Sequence, residues 1–401
     1  MLSVDEALAR LLASAPPATQ IEVVAIADAA GRVLAQTQVA AEDSPPLDNS
    51  AMDGYAVATA DVPEPGTWLP VSQRIPAGTV GTTLRPRTAA RIFTGAPIPS
   101  GADAVVIQEL CEHAPDAVRI DHRPSPGEHI RRAGSDIMAG SAILAVGQRL
   151  RPQDVALAAS VGIARLPVYR RLRVAVAFTG DELTMPGDAL RPGAIYNSNR
   201  FLLCSLLDRL GCVVSDFGQV PDDLSELRRV FCAAAAESDL LLCSGGVSVG
   251  EEDHVKAALE SEGRVDIWKI AVKPGKPLIS GWIGGDRRQV PLIGLPGNPV
   301  SSLVGFLVFV RPVVLKMQGA QWITPPAYAL RADFDWLQPD ARREFLRVRR
   351  NPEGGLDLFP NQGSGVLTSA VWGDGLVDNP PRRVVHRGDV VDFLPFAELL
   401  S

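Results

Sequence analysis

The stretch "RLRVAVAFTGDEL" at residues 171–183 decides the fold class of this 401-residue chain. Its run of small and β-branched apolar residues predicts a strand that is buried on both faces. From there to residue 318, helix-like stretches such as "NSNRFLLCSLLDRLG" and "DDLSELRRVFCAAAAE" alternate with strand-like ones such as "CVVSDFGQV" and "DLLLCSGG". This alternation predicts a doubly wound, mostly parallel α/β sheet over residues 172–318.

The regions on either side of this sheet are predicted to be rich in β-structure. Residues 60–130 hold short strand-like pieces separated by Pro and Gly, which is typical of a small, mostly β domain. From about residue 322 onward, strands and turns again dominate, which predicts a C-terminal β-barrel or sandwich. The length of the chain allows about two to four domains of ordinary size.

The loops that follow the predicted strands are polar. Ligands of such sheets bind beyond the carboxyl ends of the strands, where this chain has "TGDEL", "VPDD", "SGGVSVGEEDHV", "KPGKP" and "GLPGNPVSS". Three glycines could let backbone N–H groups approach a phosphate: Gly245, Gly246 and Gly250. Glu182, Asp222 and Asp253 could share one Mg²⁺ ion. The alternative is that Asp222 and Asp253 only cap helix N-termini.

Lysine is rare in this chain and unevenly placed. Only five of the 39 basic residues are lysines, and four of these lie between positions 256 and 276. Compact ammonium groups on the rigid "KPGKPL" loop suit phosphate or another oxyanion, although chance clustering on an exposed loop is the alternative. The net charge of −7 argues against a general nucleic-acid-binding protein. Any anionic ligand must therefore be held by a local cluster.

A second polar stretch, "PPLDNSAMDGYAV" at residues 45–57, has neither the period of a buried strand nor that of a helix. Its Asp, Asn, Ser and Gly residues favour a surface turn, because such residues bond their own backbone. A functional loop is the other interpretation, and the local sequence does not decide between them.

The sequence indicates neither secretion nor membrane insertion. The first 20 residues carry two acids before the first Arg and predict an amphipathic helix instead of a signal peptide. The uncharged run at 290–310 is interrupted by "PGNP", which predicts a loop that leads into a buried helix. The five cysteines form no C-x-x-C pair and the histidines lack zinc-ligand spacing. We expect a cytoplasmic protein without a disulfide framework or a zinc site, and without membrane or nucleic-acid partners.

Seven motifs taken together resemble one family. "DNSAMDGYAV", "IFTGAPIPSGADAVV", "IRRAGSDI", "TGDEL", "SGGVSVGEEDHV", "KPGKPL" and "GLPGNPVSS" stand in the order and approximate spacing of the MoeA family of molybdopterin molybdenumtransferases, which is related to the E domain of gephyrin. The resemblance runs from about residue 3 to the C-terminus. It implies insertion of molybdate into adenylylated molybdopterin with Mg²⁺ and release of AMP.

The resemblance also implies an elongated protomer of four domains, which is usually dimeric. Domain I would comprise residues 1–43 and 137–171, domain II residues 44–136, domain III residues 172–318 and domain IV residues 322–401. Domain III would be the pterin-binding fold that the MogA adenylyltransferases share, and "DNSAMDGY" would reach the sheet loops of the partner subunit. The upstream adenylyltransferase and the downstream molybdoenzymes are candidate further partners.

Site residues follow from the same resemblance. The expected catalytic residues are Asp53, Asp136, Glu182, Asp222 and Asp253, with Glu182 and Asp253 as metal ligands. The expected substrate-binding residues are Thr94, Gly245, Gly246, Ser248, Gly250, Lys269, Lys273, Lys276, Pro296, Pro299, Arg343 and Ser364. Two positions depart from the family pattern, namely Phe178 before "TGDEL", where a small hydroxyl residue is common, and Asn361, where His is frequent.

Three other functions remain open. An adenylyltransferase acting on the same pterin would use ATP, and a nucleotide pyrophosphatase would cleave a diphosphate without molybdate. A pterin-binding scaffold without catalytic activity would not require the full set of carboxylates and lysines.

Overall fold

A computed structural model describes residues 1–247, 254–275, 278–284 and 289–400 of the chain. Four of the expected site residues lie outside these ranges: Ser248, Gly250, Asp253 and Lys276. The chain begins with helix α1 (Val4–Ser14) and continues with strands β1 (Ile21–Ala25) and β2 (Gln38–Val39). Ser3 and Glu6 form a reciprocal capping box at the start of α1. The predicted N-terminal helix is therefore confirmed.

Residues 49–131 form a β-rich region. Its strands are β3 (Asn49–Ser50), β4 (Gly54–Val57), β5 (Thr67–Ile75), β6 (Ala89–Ile92), β7 (Ala104–Ile107), β8 (Cys111–His113), β9 (Ala117–Ile120) and β10 (Ile130–Arg131). Six of them form one sheet in the order β7–β4–β6–β5–β9–β8, and β3 pairs with β10. One apolar cluster includes Tyr55 and Val118, and a second includes Ile75 and Ile92. The mostly β prediction for this part of the chain is confirmed.

The segment that follows returns to the N-terminal strands. It contains β11 (Ala142–Leu144), α2 (Pro152–Ser160) and β12 (Arg165–Tyr169). Strand β12 pairs with β1 and strand β11 pairs with β2, both antiparallel. Leu34, Leu150 and Val168 share one buried cluster. The strands β1, β2, β11 and β12 and helix α2 thus form one N-terminal unit. The chain leaves this unit at about residue 40 and re-enters it after the β-rich region.

The central region contains the predicted alternation of strands and helices. Its elements are β13 (Arg173–Thr179), β14 (Leu183–Thr184), β15 (Ile195–Tyr196), α3 (Ser198–Arg209), β16 (Val213–Val220), α4 (Leu224–Glu237), β17 (Leu240–Ser244), α5 (His254–Glu262), β18 (Gly263–Trp268), β19 (Val272–Lys273), β20 (Ile279–Ile283), β21 (Val290–Leu295), α6 (Pro299–Gly305) and α7 (Arg311–Met317). A π-helical turn, Phe306–Val310, joins α6 to α7.

The main sheet of this region has the order β16–β13–β17–β21–β20–β18. The first four strands are parallel to one another. Strand β20 pairs antiparallel with β21, and the edge strand β18 pairs antiparallel with β20. One apolar cluster includes Leu207 and Phe306, and another includes Phe231 and Leu259, so helices cover both faces of the sheet. The prediction of a doubly wound, mostly parallel sheet is confirmed.

One helical stretch, Pro299–Met317, is long and apolar enough to cross a membrane, but 89% of it is buried in the protein. It packs with the central sheet in the same apolar cluster as Leu207. It is a core helix, as the sequence predicts for the end of the uncharged run.

The C-terminal region is again β-rich. Its elements are β22 (Tyr328–Arg331), β23 (Arg343–Arg350), β24 (Leu356–Leu358), α8 (Thr368–Trp372), β25 (Gly375–Asn379), β26 (Val390–Pro395) and α9 (Phe396–Leu399). The sheet has the order β19–β23–β25–β26–β22, and β24 pairs with the free part of β23. The first strand, β19, belongs to the central region of the sequence. This sheet therefore takes up a piece of chain from outside residues 322–401.

Candidate active site

The loop after β17 lies directly against the end of β13. Gly245 and Gly246 have φ values of +98° and +60°. A Cβ atom on Gly245 would lie 2.1 Å from the carbonyl oxygen of Thr179, and one on Gly246 would lie 2.8 Å from Thr179 Oγ1. Only glycine fits this approach, because a side chain would collide with the neighbouring strand. The loop consequently packs tightly at the carboxyl edge of the sheet, where a phosphate-binding loop is predicted: Gly245 is buried, Gly246 is half-buried, and the Gly245 N–H donates to the Leu295 carbonyl at 3.1 Å.

A buried hydrogen-bond network holds the "LPGNP" loop at the same edge. Asn199 Nδ2 donates to Ser244 Oγ at 2.9 Å, to the Gly297 carbonyl at 2.8 Å and to Ser302 Oγ at 3.3 Å. Both serine hydroxyls also donate to the Pro296 carbonyl. Asn199, which sequence reasoning missed, therefore joins α3, β17 and α6. Its only sequence signal is an amide in the first turn of a predicted helix.

Carboxylates gather where β13 and β16 end. The backbone N–H of Asp181 donates to Asp222 Oδ2, and the N–H of Asp222 donates to Asp181 Oδ1, both at 3.3 Å. Burial raises the pKa of the Asp222 carboxyl above its ordinary value, and the charges of Asp181 and Glu182 raise it further. His254 acts in the opposite direction. Asp222 and Glu182, both predicted site residues, therefore belong to one acidic cluster with Asp181, which we did not predict.

The capping alternative for Asp222 is wrong. The side chain that caps α4 is the next residue, Asp223, whose Oδ1 accepts from the N–H of Glu226 at 3.0 Å. Asp222 is left facing Asp181, so its carboxylate is available for a ligand. The same alternative for Asp253 concerns a residue outside the described ranges.

The acidic cluster has the chemistry of a magnesium site that is shared with a substrate. Among the described residues, no three His, Cys, Asp or Glu side chains are grouped so as to hold a metal ion by themselves. Mg²⁺ in phosphate-handling sites usually takes only one or two carboxylates, and substrate oxygens and water complete its shell. Burial is the main cause of the raised pKa of Asp222, and the smaller contribution from the charges of Asp181 and Glu182 is repulsion of the kind that a divalent cation relieves. The residues present fit such a shared site.

Lys273 differs from its predicted role as an oxyanion ligand. Its Nζ lies 3.0 Å from Glu344 Oε1 and 3.5 Å from Asp340 Oδ2, so its charge is balanced within the protein. Glu344 is only 1% exposed and also accepts from Trp336 Nε1 at 2.8 Å. The contacts of Lys273 thus give no support to oxyanion binding and instead anchor the C-terminal sheet. Lys269, also predicted to bind substrate, lies just before β19, and its backbone N–H donates to the Leu278 carbonyl at 3.2 Å.

Arg343, predicted to bind substrate, is engaged in a similar way. It forms a bidentate pair with Asp378 at 2.6 Å, and its third nitrogen contacts Asp5 of α1 at 2.7 Å. The hydrogen bonds that Arg343 donates to Asp378 raise the pKa of this guanidinium above its ordinary value. The backbone N–H of Arg343 donates to the Ala271 carbonyl at 3.1 Å. Arg343 therefore connects three distant parts of the chain.

Ser364, predicted to bind substrate, lies beside the start of α6. Its carbonyl accepts from the N–H of Val300 at 3.0 Å, directly after Pro299 at the start of α6. A Cβ atom on Gly275 would lie 3.1 Å from Ser301 Cβ and 3.6 Å from Pro296 Cγ, which puts the "KPG" turn against the same loop. The "KPG", "LPGNP" and "NQGSG" segments therefore meet.

Asp53 and Thr94 form a pair within the β-rich region. Asp53 Oδ1 accepts from the Thr94 backbone N–H at 2.8 Å and from its hydroxyl at 2.7 Å. These bonds, the backbone one first, hold the pKa of the Asp53 carboxyl below its ordinary value. The bonds cross 41 residues of sequence, and Ser50 nearby is fully buried. The Ser50 hydroxyl bonds the backbone of Met52 within the stretch at 45–57, but the contacts of Asp53 also fix this stretch from a distant part of the chain, so it is more than a self-bonded surface turn.

Asp136 is exposed, and its backbone N–H donates to the Ser44 carbonyl at 3.0 Å. It lies where the chain passes from β10 back to the N-terminal unit. The predicted residues thus fall into two sets, one in the β-rich region and one at the carboxyl edge of the central sheet. The hydrogen bonds of Asp53 described above stay within the first set, and those of Asp222 stay within the second.

Three family models match the chain. They are the MoeA N-terminal region (domain I and II) over residues 2–162, a probable molybdopterin binding domain over residues 175–316, and the MoeA C-terminal region (domain IV) over residues 329–396. The chain is similar to the molybdopterin molybdenumtransferase of Haemophilus influenzae, with 40% identity over 100% of both chains. It is 35% identical to that of Bacillus subtilis, over 90% of this chain and 85% of the relative. A crystal structure of a MoeA protein from Pyrococcus horikoshii is similar with a TM-score of 0.85 at 29% identity, covering 98% of this chain and 100% of that one.

Proposed function

The chain belongs to the MoeA family of molybdopterin molybdenumtransferases, and from that membership we propose that it inserts molybdate into adenylylated molybdopterin and releases AMP. The observation that carries this proposal is the position of Asp222. It lies with Asp181 and Glu182 at the same carboxyl edge of the sheet as the Gly245–Gly246 loop. Anion-binding backbone and metal-binding carboxylates at one edge suit a diphosphate substrate.

The residues at this edge have distinct roles in the proposed reaction. The glycines of the Gly245–Gly246 loop let the chain turn at this edge, and the Asn199 network keeps Ser244, which precedes that loop, in register with the "LPGNP" loop. Glu182 and Asp222, together with Asp253, would hold Mg²⁺, and the bound ion would supply positive charge to balance a diphosphate. Molybdate is a substrate here and approaches the same edge. Lys273 positions the adjoining loop through Glu344.

The Asp53–Thr94 pair completes the site from a second subunit in this proposal. Thr94 holds the pKa of the Asp53 carboxyl below its ordinary value, and Asp53 belongs to a different part of the chain from the acidic cluster. A homodimer in which each β-rich region faces the partner's sheet would bring the two sets together. The division into domains I to IV, with the boundaries given above, and a cytoplasmic location belong to the same proposal.

The activity is tested with purified protein, adenylylated molybdopterin, molybdate and Mg²⁺. We expect AMP release that depends on molybdate, together with activation of a molybdenum-free molybdoenzyme. AMP release without molybdate would indicate a pyrophosphatase, and consumption of ATP would indicate an adenylyltransferase. Binding of the pterin without either reaction would indicate a scaffold.

The shared site is tested by mixing inactive Asp53→Ala and Asp222→Asn subunits under conditions where subunits exchange. A mixed dimer holds one site with both substitutions and one with neither. About a quarter of the parent activity should return at full exchange, because half of the dimers are mixed and half of their sites are intact. No recovery despite proven exchange would place each site within one chain.

A further inference from the structure

A groove in the β-rich region carries two arginines side by side. We call it the arginine groove, and it is lined by Tyr55, Arg74, Arg91, Gln108 and His113 together with apolar neighbours, with a volume of about 610 Å³. In the register of β4, β6 and β5, Tyr55 is paired with Arg91, and Arg91 is paired with Arg74. Directly paired residues project on the same face of a sheet. The two guanidinium groups therefore share one face.

This arrangement is unfavourable unless something balances it. Like charges on directly paired residues destabilise a sheet. Within the described ranges, neither Arg74 nor Arg91 makes an ion pair, although Arg119 of the same region pairs with both Glu112 and Asp121. Within the described ranges the repulsion between the two guanidinium groups is thus not offset by a direct ion pair, and the Asp53 carboxylate acts on Arg91 only through its charge at longer range. An anion in the groove would offset it.

Both guanidinium groups are held in place by neighbouring groups. Arg91 donates to the Gly54 carbonyl at 3.0 Å and to Gln108 Oε1 at 2.7 Å, and its carbon Cζ lies 4.8 Å from the centre of the Phe93 ring. Arg74 Cζ lies 4.6 Å from the centre of the same ring. Fixed orientation reduces the entropy lost when a ligand binds. Arg91 is oriented chiefly by its hydrogen bonds, and Arg74 by the aromatic ring alone.

The remaining wall is polar and roomy. The Tyr55 hydroxyl lies 3.2 Å from His113 Nδ1, and Tyr55 is only 4% exposed. A volume of about 610 Å³ falls within the range of small-molecule sites, roughly 300–1,000 Å³, and exceeds the needs of a free oxyanion. Guanidinium groups match phosphate oxygens in geometry and charge.

We propose that the arginine groove binds an organic phosphate monoester, with the phosphate between Arg74 and Arg91 and the organic part against the Tyr55–His113 wall. The groove is distinct from the carboxyl edge of the central sheet, and the inference does not depend on the proposed reaction. Strand β4 begins immediately after Asp53, so an occupied groove would adjoin the Asp53–Thr94 pair.

Calorimetric titration of the full chain with ribose 5-phosphate tests the proposal, with inorganic phosphate as a second probe. We expect ribose 5-phosphate to bind more tightly than inorganic phosphate and to bind less tightly as salt increases. Arg74→Ala should raise its dissociation constant about tenfold or more, since a hydrogen bond between charged groups is lost. Arg74→Lys should recover part of that loss.

Arg85→Ala is the matched control, because Arg85 is an exposed arginine of the same region outside the groove. It should leave the dissociation constant within about twofold. If Arg74→Ala and Arg85→Ala lost the same affinity for ribose 5-phosphate, the loss would be explained by net charge alone, and the proposal would be overturned. Loss of binding in Asp222→Asn but not in Arg74→Ala would place the probe at the sheet edge instead. Equal affinity for ribose 5-phosphate and inorganic phosphate would refute the proposal that the groove also binds the organic part of the ligand.

Discussion

Removing the Lys273 side chain should weaken the fold even when no substrate is present. The hydrogen bond from Lys273 Nζ to Glu344 Oε1 measures 3.0 Å, and Glu344 is almost completely buried. A hydrogen bond to a charged group contributes about 1.5–3 kcal/mol. The Lys273 side chain is 35% exposed, which favours the lower half of that range. We therefore expect Lys273→Ala to cost about 1.5–2 kcal/mol of unfolding free energy.

The cost stays below that of a buried carboxylate without any partner, about 3–5 kcal/mol. Glu344 retains the indole N–H of Trp336 at 2.8 Å and the backbone N–H of Asp340 at 3.1 Å. In thermal unfolding followed by circular dichroism, the midpoint should fall by about 3–8 °C. Lys256→Ala is the matched control, because its ion pair with Glu260 on the surface of α5 measures 3.4 Å. That variant should lose only about 0.3–0.5 kcal/mol.

A double-mutant cycle with Glu344→Gln completes the test. If the pair accounts for the effect, Lys273→Ala should cost much less in the Glu344→Gln background than in the parent. Additive losses, or equal stability of Lys273→Ala and Lys256→Ala, would refute the structural role. Unchanged stability combined with weaker, more salt-sensitive substrate binding would restore the role of Lys273 as an oxyanion ligand.

Three further variants test the sheet edge. Gly245→Ala should destabilise by several kcal/mol in denaturant unfolding and abolish activity, because its Cβ would lie 2.1 Å from the Thr179 carbonyl oxygen. Gly162→Ala is the control, because Gly162 also has a positive φ, +79°, but open space around it, and it should cost only about 1 kcal/mol. Asn199→Ala should cost about 2–3 kcal/mol in the same assay, since three buried hydrogen bonds are lost; an unchanged unfolding midpoint would contradict the network. Asp222→Asn should lower molybdate insertion about 100-fold without lowering the unfolding midpoint at pH 7. The pKa of Asp222 is higher in the native state than in the unfolded state, so ionising Asp222 at neutral pH destabilises the native state. Asn cannot ionise and removes this destabilisation. A fall in the unfolding midpoint at pH 7 would contradict this sign.

The sequence predicts the sheet and its loops well because both depend on local patterns. The apolar run before "TGDEL" and the amphipathic stretch of α4 indicate their structures without knowledge of any neighbour. Glycine at positions 245 and 246 is likewise visible in the sequence as a loop that could approach a ligand. The family resemblance adds Asp53 and Thr94 as separate site positions, and only the structure shows that they are hydrogen-bonded to each other.

The remaining features depend on which distant residues meet. The "KPGKP" lysines suggest an oxyanion site, yet the partner of Lys273 is Glu344, 71 residues later. Asn199 looks like an ordinary residue in the first turn of a helix until Ser244 and Gly297 pack against it. The choice between Asp222 and Asp223 as the cap of α4 depends on one residue of helix register. Such boundaries are the least reliable part of a sequence-based assignment.

The pairing of β19 with β23 means that the C-terminal sheet cannot be cut away at the linker before residue 328. Truncation there would strip Val272 and Lys273 of their strand partner and leave Ala271 without the N–H of Arg343. It would also expose an unpaired strand edge, which is prone to aggregation. An engineer who wants the central sheet as an independent module must therefore redesign residues 270–275 as well as choose a cut site. The C-terminal sheet thus includes residues that lie outside the boundaries suggested by the sequence.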